Sequence, residues 1–288
     1  WVLVKMPNGK KYINEAIKDP NPDIRITGIR AARQLKLDLI PLVKKLAADQ
    51  DPQVRRESIL ALRHNKSPEA AELWARLANQ YDGNDRWYLE ALGIAADRQW
   101  DSFFEAYLQI NKNPLLKPAG RDIIWRARTE KSLPFLAKLA TDNQNDLKSR
   151  LRYFRAFDFQ TGTEKSKILV KMIEDNPAGN IEFKSLILNH LDTKFALQSP
   201  IAKQTLMEVL QSVSGKVEYL DLVRRYELKS ETTNLLKLAI ARSNDPIGVD
   251  AARLLLELKG SAVLNDALNN SDSNQINLIL TALGGVGN

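Results

Sequence analysis

Three stretches of the chain recur at a spacing of thirty residues: Asn21-Pro22-Asp23-Ile24-Arg25, Asp51-Pro52-Gln53-Val54-Arg55, and Asn84-Asp85-Arg86 running into Glu90-Ala91-Leu92-Gly93. Each begins with turn-forming residues and continues with small and apolar positions at helical spacing, so each unit reads as turn, helix, break, second helix. Such units bury their apolar faces by stacking on one another, and the chain grows by addition instead of thickening one core. The expected fold is all-α: a right-handed α-α superhelix of about eight helix pairs with a half unit at each end, one solenoid domain over residues 1–288.

The second unit carries the clearest signals. Asp51 is placed to cap a helix that Pro52 opens, and Val54, Ser58, Ala61 and Leu62 form a narrow stripe whose small members let a paired helix approach. His64-Asn65-Lys66 ends that helix. Ser67 and Pro68 start the next, with Ala70, Ala71, Trp74, Leu77 and Ala78 on its buried side. The first unit predicts Ile24, Gly28, Ala31, Ala32 and Leu35 as the stripe of helix A, then Leu39, Leu42, Val43 and Leu46 in helix B. In the third, helix A closes near Gly93, and Trp100, Phe103, Phe104 and Tyr107 fill helix B. Further pairs are expected at residues 116–140, 145–175, 179–213, 216–242 and 245–269. A lone helix B lies at residues 10–18 and a lone helix A at 274–283, with the glycines after Leu283 as its stop. Half units would leave apolar faces open, and the chain opens on Trp1 instead of Met, so the expectation is a fragment of a longer multidomain protein.

Composition narrows the chemistry. Zero cysteine excludes a disulfide framework, a thiolate zinc site and haem attachment through C-x-x-C-H within these residues. No apolar run reaches the roughly 18 residues that span a bilayer, so membrane insertion of this segment is not expected. The net charge of +7 is uneven: residues 1–50 hold ten Lys/Arg against five Asp/Glu, and residues 101–150 nine against six. That balance permits acidic partners or nucleic acid without requiring either.

Asp51-Pro52-Gln53-Val54-Arg55, the small-residue stripe at Ala61-Leu62 and the A-L-G at Ala91-Leu92-Gly93 resemble HEAT repeats over most of the chain. A narrower resemblance lies in Asn84 to Gly93 with the aromatic helix after it. It is similar to the HEAT region of exported bacterial membrane-bound dehydrogenases and haem-domain proteins. That resemblance implies a sugar-dehydrogenase-like propeller before the segment and a c-type cytochrome domain after it, in the periplasm or outside the cell. Neither module is in this chain, so what carries over is a spacer or docking role.

Arg25 and Arg55 hold the same place in two turns, where HEAT-like proteins use arginine to bridge units through turn carbonyls or an aspartate; both are expected to be structural. At thirty-residue spacing the third unit puts Asp85 there, so the ladder lapses. The same spacing aligns Trp87 with polar Thr27 and Glu57, which marks it either as a contact surface or as an edge residue covered by a bulky neighbour. Arg121, Trp125 and Arg128, at i, i+4 and i+7, read as one basic and aromatic helix face suited to phosphate contact or cation–π stacking, or else as a plain amphipathic edge. The histidines, His64 and His190, have no ligand partner at i+3 or i+4, so no metal or other cofactor is expected. No phosphate loop, G-x-S-x-G, G-x-G-x-x-G or H-E-x-x-H pattern occurs, and no catalytic residue is assigned.

The expected function is a non-enzymatic scaffold for protein–protein or interdomain contacts, with a groove lined by helix B side chains. The alternative is nucleic-acid binding of the kind seen in HEAT-like alkylpurine DNA glycosylases, for which Trp100-Asp101 and the Trp125 cluster are the candidates. A chromophore-presenting role resembles the HEAT-like phycobilin lyases by fold alone. A specialised surface is expected between Trp87 and Arg128.

Overall fold

The computed structural model describes residues 2–287. Trp1, which prompted the expectation of an excised piece, and Asn288 lie outside the described residues. The described residues contain nineteen α-helices and no strand. These are α1 (Gly9–Ala16), α2 (Pro22–Gln34), α3 (Ile40–Leu46), α4 (Pro52–Ala61), α5 (Pro68–Ala78), α6 (Arg86–Ala95), α7 (Trp100–Ile110), α8 (Pro118–Arg126), α9 (Leu133–Thr141), α10 (Leu147–Phe157) and α11 (Thr163–Glu174). They continue with α12 (Ile181–His190), α13 (Thr193–Gln198), α14 (Pro200–Ser212), α15 (Val217–Arg225), α16 (Thr232–Ala241), α17 (Pro246–Glu257), α18 (Ser261–Asn270) and α19 (Ser273–Val286). The chain divides into two compact units, Trp1–Ile168 and Leu169–Asn288.

Local chemistry sets the helix ends. Asn21, Asp51, Ser67 and Asp85 accept hydrogen bonds from the free amides at the starts of α2, α4, α5 and α6, and prolines at the first helical positions supply a fixed φ where no donor is needed. Several helices stop at a residue in the left-handed region: Lys36 after α2, His64 after α4, Arg98 after α6, Glu227 after α15 and Lys259 after α17. His64 is thereby a backbone stop, and it lies in the first unit while His190 ends α12 in the second.

In the first unit α2 packs on α4 and α4 on α6, while α3 packs on α5 and α5 on α7, so like helices stack along an α-α solenoid. Trp74 anchors the α5–α7 layer: it is fully buried, donates its indole N–H to the Leu92 carbonyl at 3.1 Å, and meets Trp100 edge-on with centroids 5.8 Å apart. In the second unit α12 packs on α14, α15 on α17, and α16 against α17 and α19.

Several expectations need correction. Residues 179–213 form three helices, because Ser199-Pro200 caps and restarts the chain and isolates the six-residue α13. Ile24 and Leu35 are 41% and 37% exposed; α2 buries Ile26 and Ile29 beside Gly28, Ala31 and Ala32 instead. Glu57, read from the sequence only as a polar position, is buried and accepts from Arg30 and Arg33 at 2.9–3.0 Å, which ties α4 to α2. Gly93 does not close α6, which runs to Ala95. Nor do Gly284 and Gly285 stop α19, where the missing Cβ of Gly285 lets the helix approach Val249 of α17.

Close approach by backbone is sharpest at Gly120 in α8 and Gly248 in α17. A Cβ there would sit 1.9 Å from the carbonyl oxygen of Pro114 or of Arg242. Neither carbonyl can swing aside as a side-chain tip would. Gly120→Ala and Gly248→Ala are each expected to cost about 3 kcal/mol in urea unfolding, at the upper end for overpacking. Gly284→Ala, where a Cβ meets open space inside a helix, is expected to stabilise the chain by up to ~1 kcal/mol.

Candidate functional site

The turns between repeats are held by arginine at a fixed offset from the helix cap. Arg25 lies four residues after the Asn21 cap, and its Nη1 donates to the carbonyls of Asp19 and Pro20 at 2.8 and 2.9 Å. Its Nε and Nη2 take both oxygens of Asp49 in the next turn, each at 2.8 Å. Arg55, four residues after Asp51, donates Nη1 to the carbonyls of Asp49 and Gln50 at 2.6 and 3.0 Å. Its Nε is buried without an acceptor, and its guanidinium faces the Tyr88 ring, 6.0 Å from the centroid. The difference follows from one position. Two residues before each cap stand Asp19, Asp49 and then Gly83, so the third turn offers no carboxylate at that position.

Caps also correct the register. Asp85 caps α6, so it matches Asn21 and Asp51, thirty-four residues after the second cap. Ala31, Ala61 and Ala95 then fall at one place, and all three are buried. In this register Leu89 takes the arginine position, and Trp87 aligns with Asp23 and Gln53 in the solvent-facing first turn. The thirty-residue alignment, set by look-alike Asn-Asp-Arg, had shifted it. The ladder resumes at Arg121, four residues after the Lys117 cap position of α8, where Nε donates to the Leu115 carbonyl at 2.8 Å. Cap position, and not repeat length, was the signal that locates it.

Arg121, Trp125 and Arg128 are not brought together as one helical face. Helix α8 ends at Arg126, Ala127 is extended, and Arg128 turns back to donate Nη1 to the carbonyls of Trp125, Arg126 and Ala127 at 2.9–3.0 Å. Trp125 is half-buried beneath the Arg152 guanidinium, 4.1 Å from its ring, and Arg152 is fixed by Asp122 at 2.7 Å. Arg128 lies 4.3 Å over the Phe159 ring. Its pKa is pushed down to about 10 by burial and by the neighbouring Arg126 charge.

Trp87 is 67% exposed, with the Arg86 guanidinium 5.9 Å from its ring. It borders a groove of about 760 Å³ with Arg56, Leu60 and Ile94 of α4 and α6. A second groove, of about 930 Å³, is lined by Arg63, Lys66, Arg98, Arg126 and Arg128, with Trp100 and Asp101 among its walls. The first groove lies on helix A residues alone, whereas the second runs from the turns after α4 and α6 onto the start of α7, a helix B, through Trp100, Asp101 and Ser102. Helix B of the third repeat is occupied inwardly: Trp100, Phe103, Phe104 and Tyr107 are all buried. Sequence reasoning missed Lys66 and Arg98, whose signal was a basic residue at or just after each helix stop. No group of His, Cys, Asp and Glu among the described residues could hold a metal ion, and no helix there is long and apolar enough to cross a membrane.

Stacked helix pairs with arginine-bridged turns define a helical-repeat array. Its N-terminal part, residues 10–93, matches the family of HEAT repeats. Among solved structures the chain resembles an engineered protein at 12% identity, covering 98% of this chain and 89% of that one with a TM-score of 0.34. It also resembles human deoxyhypusine hydroxylase in complex with glycerol at 17% identity, covering 98% and 85% with a TM-score of 0.22. No curated protein matches the chain.

Arg25 and Asp49 are nearly buried, with side-chain exposures of 15% and 9%, so removing one strands the other. Arg25→Ala is expected to cost about 3 kcal/mol, Arg25→Lys somewhat less, and Arg25→Ala with Asp49→Ala less than the sum of the two in urea unfolding. Burial opposes ionisation of Asp49, but the bonds from Arg25 and from the Asp51 N–H outweigh it and hold its pKa below the usual carboxylate value. A depressed folded pKa stabilises above the unfolded value, so this contribution is complete above about pH 4 and lost as the pH falls further. Asp49→Asn should flatten that acid limb of the stability curve.

Proposed function

We propose that this chain is a non-catalytic HEAT-type scaffold that holds a protein partner, or a neighbouring domain of the same polypeptide, on the helix A face of its first unit. The observation that carries this reading is Trp87: a large aromatic, 67% exposed, standing on a capped helix beside a groove with Ile94 and two arginines. Exposed aromatic and arginine side chains on a rigid frame are the composition of contact hot spots. In this reading residues 1–288 form one domain, because helix pairs of one plan recur on both sides of the division at Ile168. Its finer form is a spacer between a dehydrogenase-like propeller and a c-type cytochrome module of an exported, periplasmic bacterial protein. The support for that form is the resemblance at Asn84 to Gly93, the segment that carries Trp87.

A photo-crosslinking side chain placed at position 87 is expected to give one discrete adduct in cells of the source organism, competed by added unmodified chain and not by Trp87→Ala. The same crosslinker at exposed Lys203 should give none. Equal labelling from both positions, or turnover of a defined substrate by the purified chain, would overturn the scaffold reading.

Nucleic-acid binding of the alkylpurine-glycosylase type is favoured by one observation, that Trp100 and Asp101 both line the basic groove. Against it, Trp100 is 7% exposed, and Asp101 already accepts from the Thr129 hydroxyl. A duplex-DNA mobility shift at ~50 mM salt that vanishes at high salt would support this reading, and no shift at ~50 mM would remove it.

A further inference from the structure

The basic groove of the first unit holds more positive charge than its own carboxylates neutralise. Arg63 is paired with Asp97 at 3.1 Å, and Arg126 with Glu90 at 3.2 Å. Lys66 and Arg98 have no ion-pair or hydrogen-bond partner among the described residues. Arg128, half-buried, spends its bonds on neutral carbonyls and stands beside Arg126 with no carboxylate partner. Three cations thus face one concavity, and Asp101 is the acid on the opposite side of the balance, committed to Thr129. A guanidinium drawn partly out of water beside a like charge is destabilised until an anion arrives, which is the arrangement expected where an anionic group binds.

Backbone geometry fixes where these charges sit. Arg98 follows α6 in the left-handed conformation at φ 61°, and His64, in the equivalent place after α4, adopts the same φ of 61°. The Gln99 amide is placed to reach the Asn65 carbonyl at 2.7 Å and the His64 N–H at 3.2 Å, tying the two stops together. Lys66 and Arg98 therefore project from joined turns on a fixed base, and less ordering has to accompany binding.

The choice of anion follows from what else lines the groove. Asp97 and Asp101 lie among the cations, and Ile94, 40% exposed, offers an apolar wall. The phosphodiester backbone of a DNA strand presents only acceptors and would set its charges against both aspartates. A peptide presents carboxylates for the cations, backbone N–H groups for the aspartates and apolar side chains for Ile94. We infer that this groove binds an acidic peptide segment of a protein partner, with Lys66, Arg98 and Arg128 as its carboxylate contacts. The inference rests on the scaffold reading and names the chemistry of the partner.

The test uses the full chain and a fluorescein-labelled peptide of alternating Glu and Ala with one central Leu, read by fluorescence anisotropy at ~50 mM salt. Binding is expected, weakened about tenfold or more by Lys66→Glu with Arg98→Glu, both exposed positions whose change leaves the helical circular dichroism intact. Lys194→Glu with Lys203→Glu alters the net charge equally at positions that do not line the groove and is expected to leave affinity within about twofold. Equal weakening by the two double variants would mean diffuse attraction and would overturn the proposal. So would an oligothymidylate that binds more tightly than the peptide and is lost in the Lys66/Arg98 variant, which would assign the groove to nucleic acid. Absence of peptide binding by folded chain overturns the acidic-peptide inference alone; the crosslink from position 87 judges the scaffold reading independently.

Discussion

An arginine four residues after the helix cap is the contact on which the repeat-to-repeat geometry depends. A turn between stacked helices exposes carbonyls that neither helix can satisfy, and water is partly excluded there by the neighbouring repeat. A guanidinium is the one side chain with enough donors in a fixed plane to serve two carbonyls and a carboxylate together. Arg25 does this for three groups of two turns, and Arg55 and Arg121 do it for fewer. Because each of these bonds ties one turn to its own helix or to the next, the array is held at its rim as well as through its apolar layers.

Much of the fold was legible because capping is local chemistry. Asp51-Pro52 and Ser67-Pro68 mark helix starts that the structure reproduces, and the stripe Val54, Ser58, Ala61, Leu62 is buried as read. Eight helix pairs emerge with α1 and α19 outside them, once α13 is taken as an inserted short helix. The slip came where repeat length was trusted over capping. An extra four residues precede α6, and Asn84-Asp85-Arg86 looks enough like its predecessors to hide them.

The site was less legible, for reasons that differ by residue. Arg121 was read as surface because its acceptor, the Leu115 carbonyl, belongs to a short turn that no side-chain pattern announces. Arg128 left the helical face because α8 ends two residues earlier than the i+7 spacing assumed. Trp125 is covered by Arg152, which comes from α10 and could be placed only by tertiary packing. Glu57 is a buried acid whose burial depends on Arg30 and Arg33 of the preceding repeat. Trp87 was singled out on a mistaken alignment, and its exposure stems from its place two residues after the Asp85 cap.

Gly83 gives this array a directional character. A linear stack is a set of links in series, each coupling only to its neighbours, and cooperativity stops where one link is weak. Where the first two turns are clasped by a bidentate salt bridge, the second and third meet through the Arg55 guanidinium resting on the Tyr88 ring with one donor left over, and through a longer Arg56–Asp85 ion pair at 3.8 Å. The second and third turns thus share fewer short ionic bonds than the first and second do. Both grooves take their walls from each side of that junction, Arg56, Leu60, Arg63 and Lys66 from the second repeat and Ile94 and Arg98 from the third, so anything seated in them spans the place where the clasp is missing.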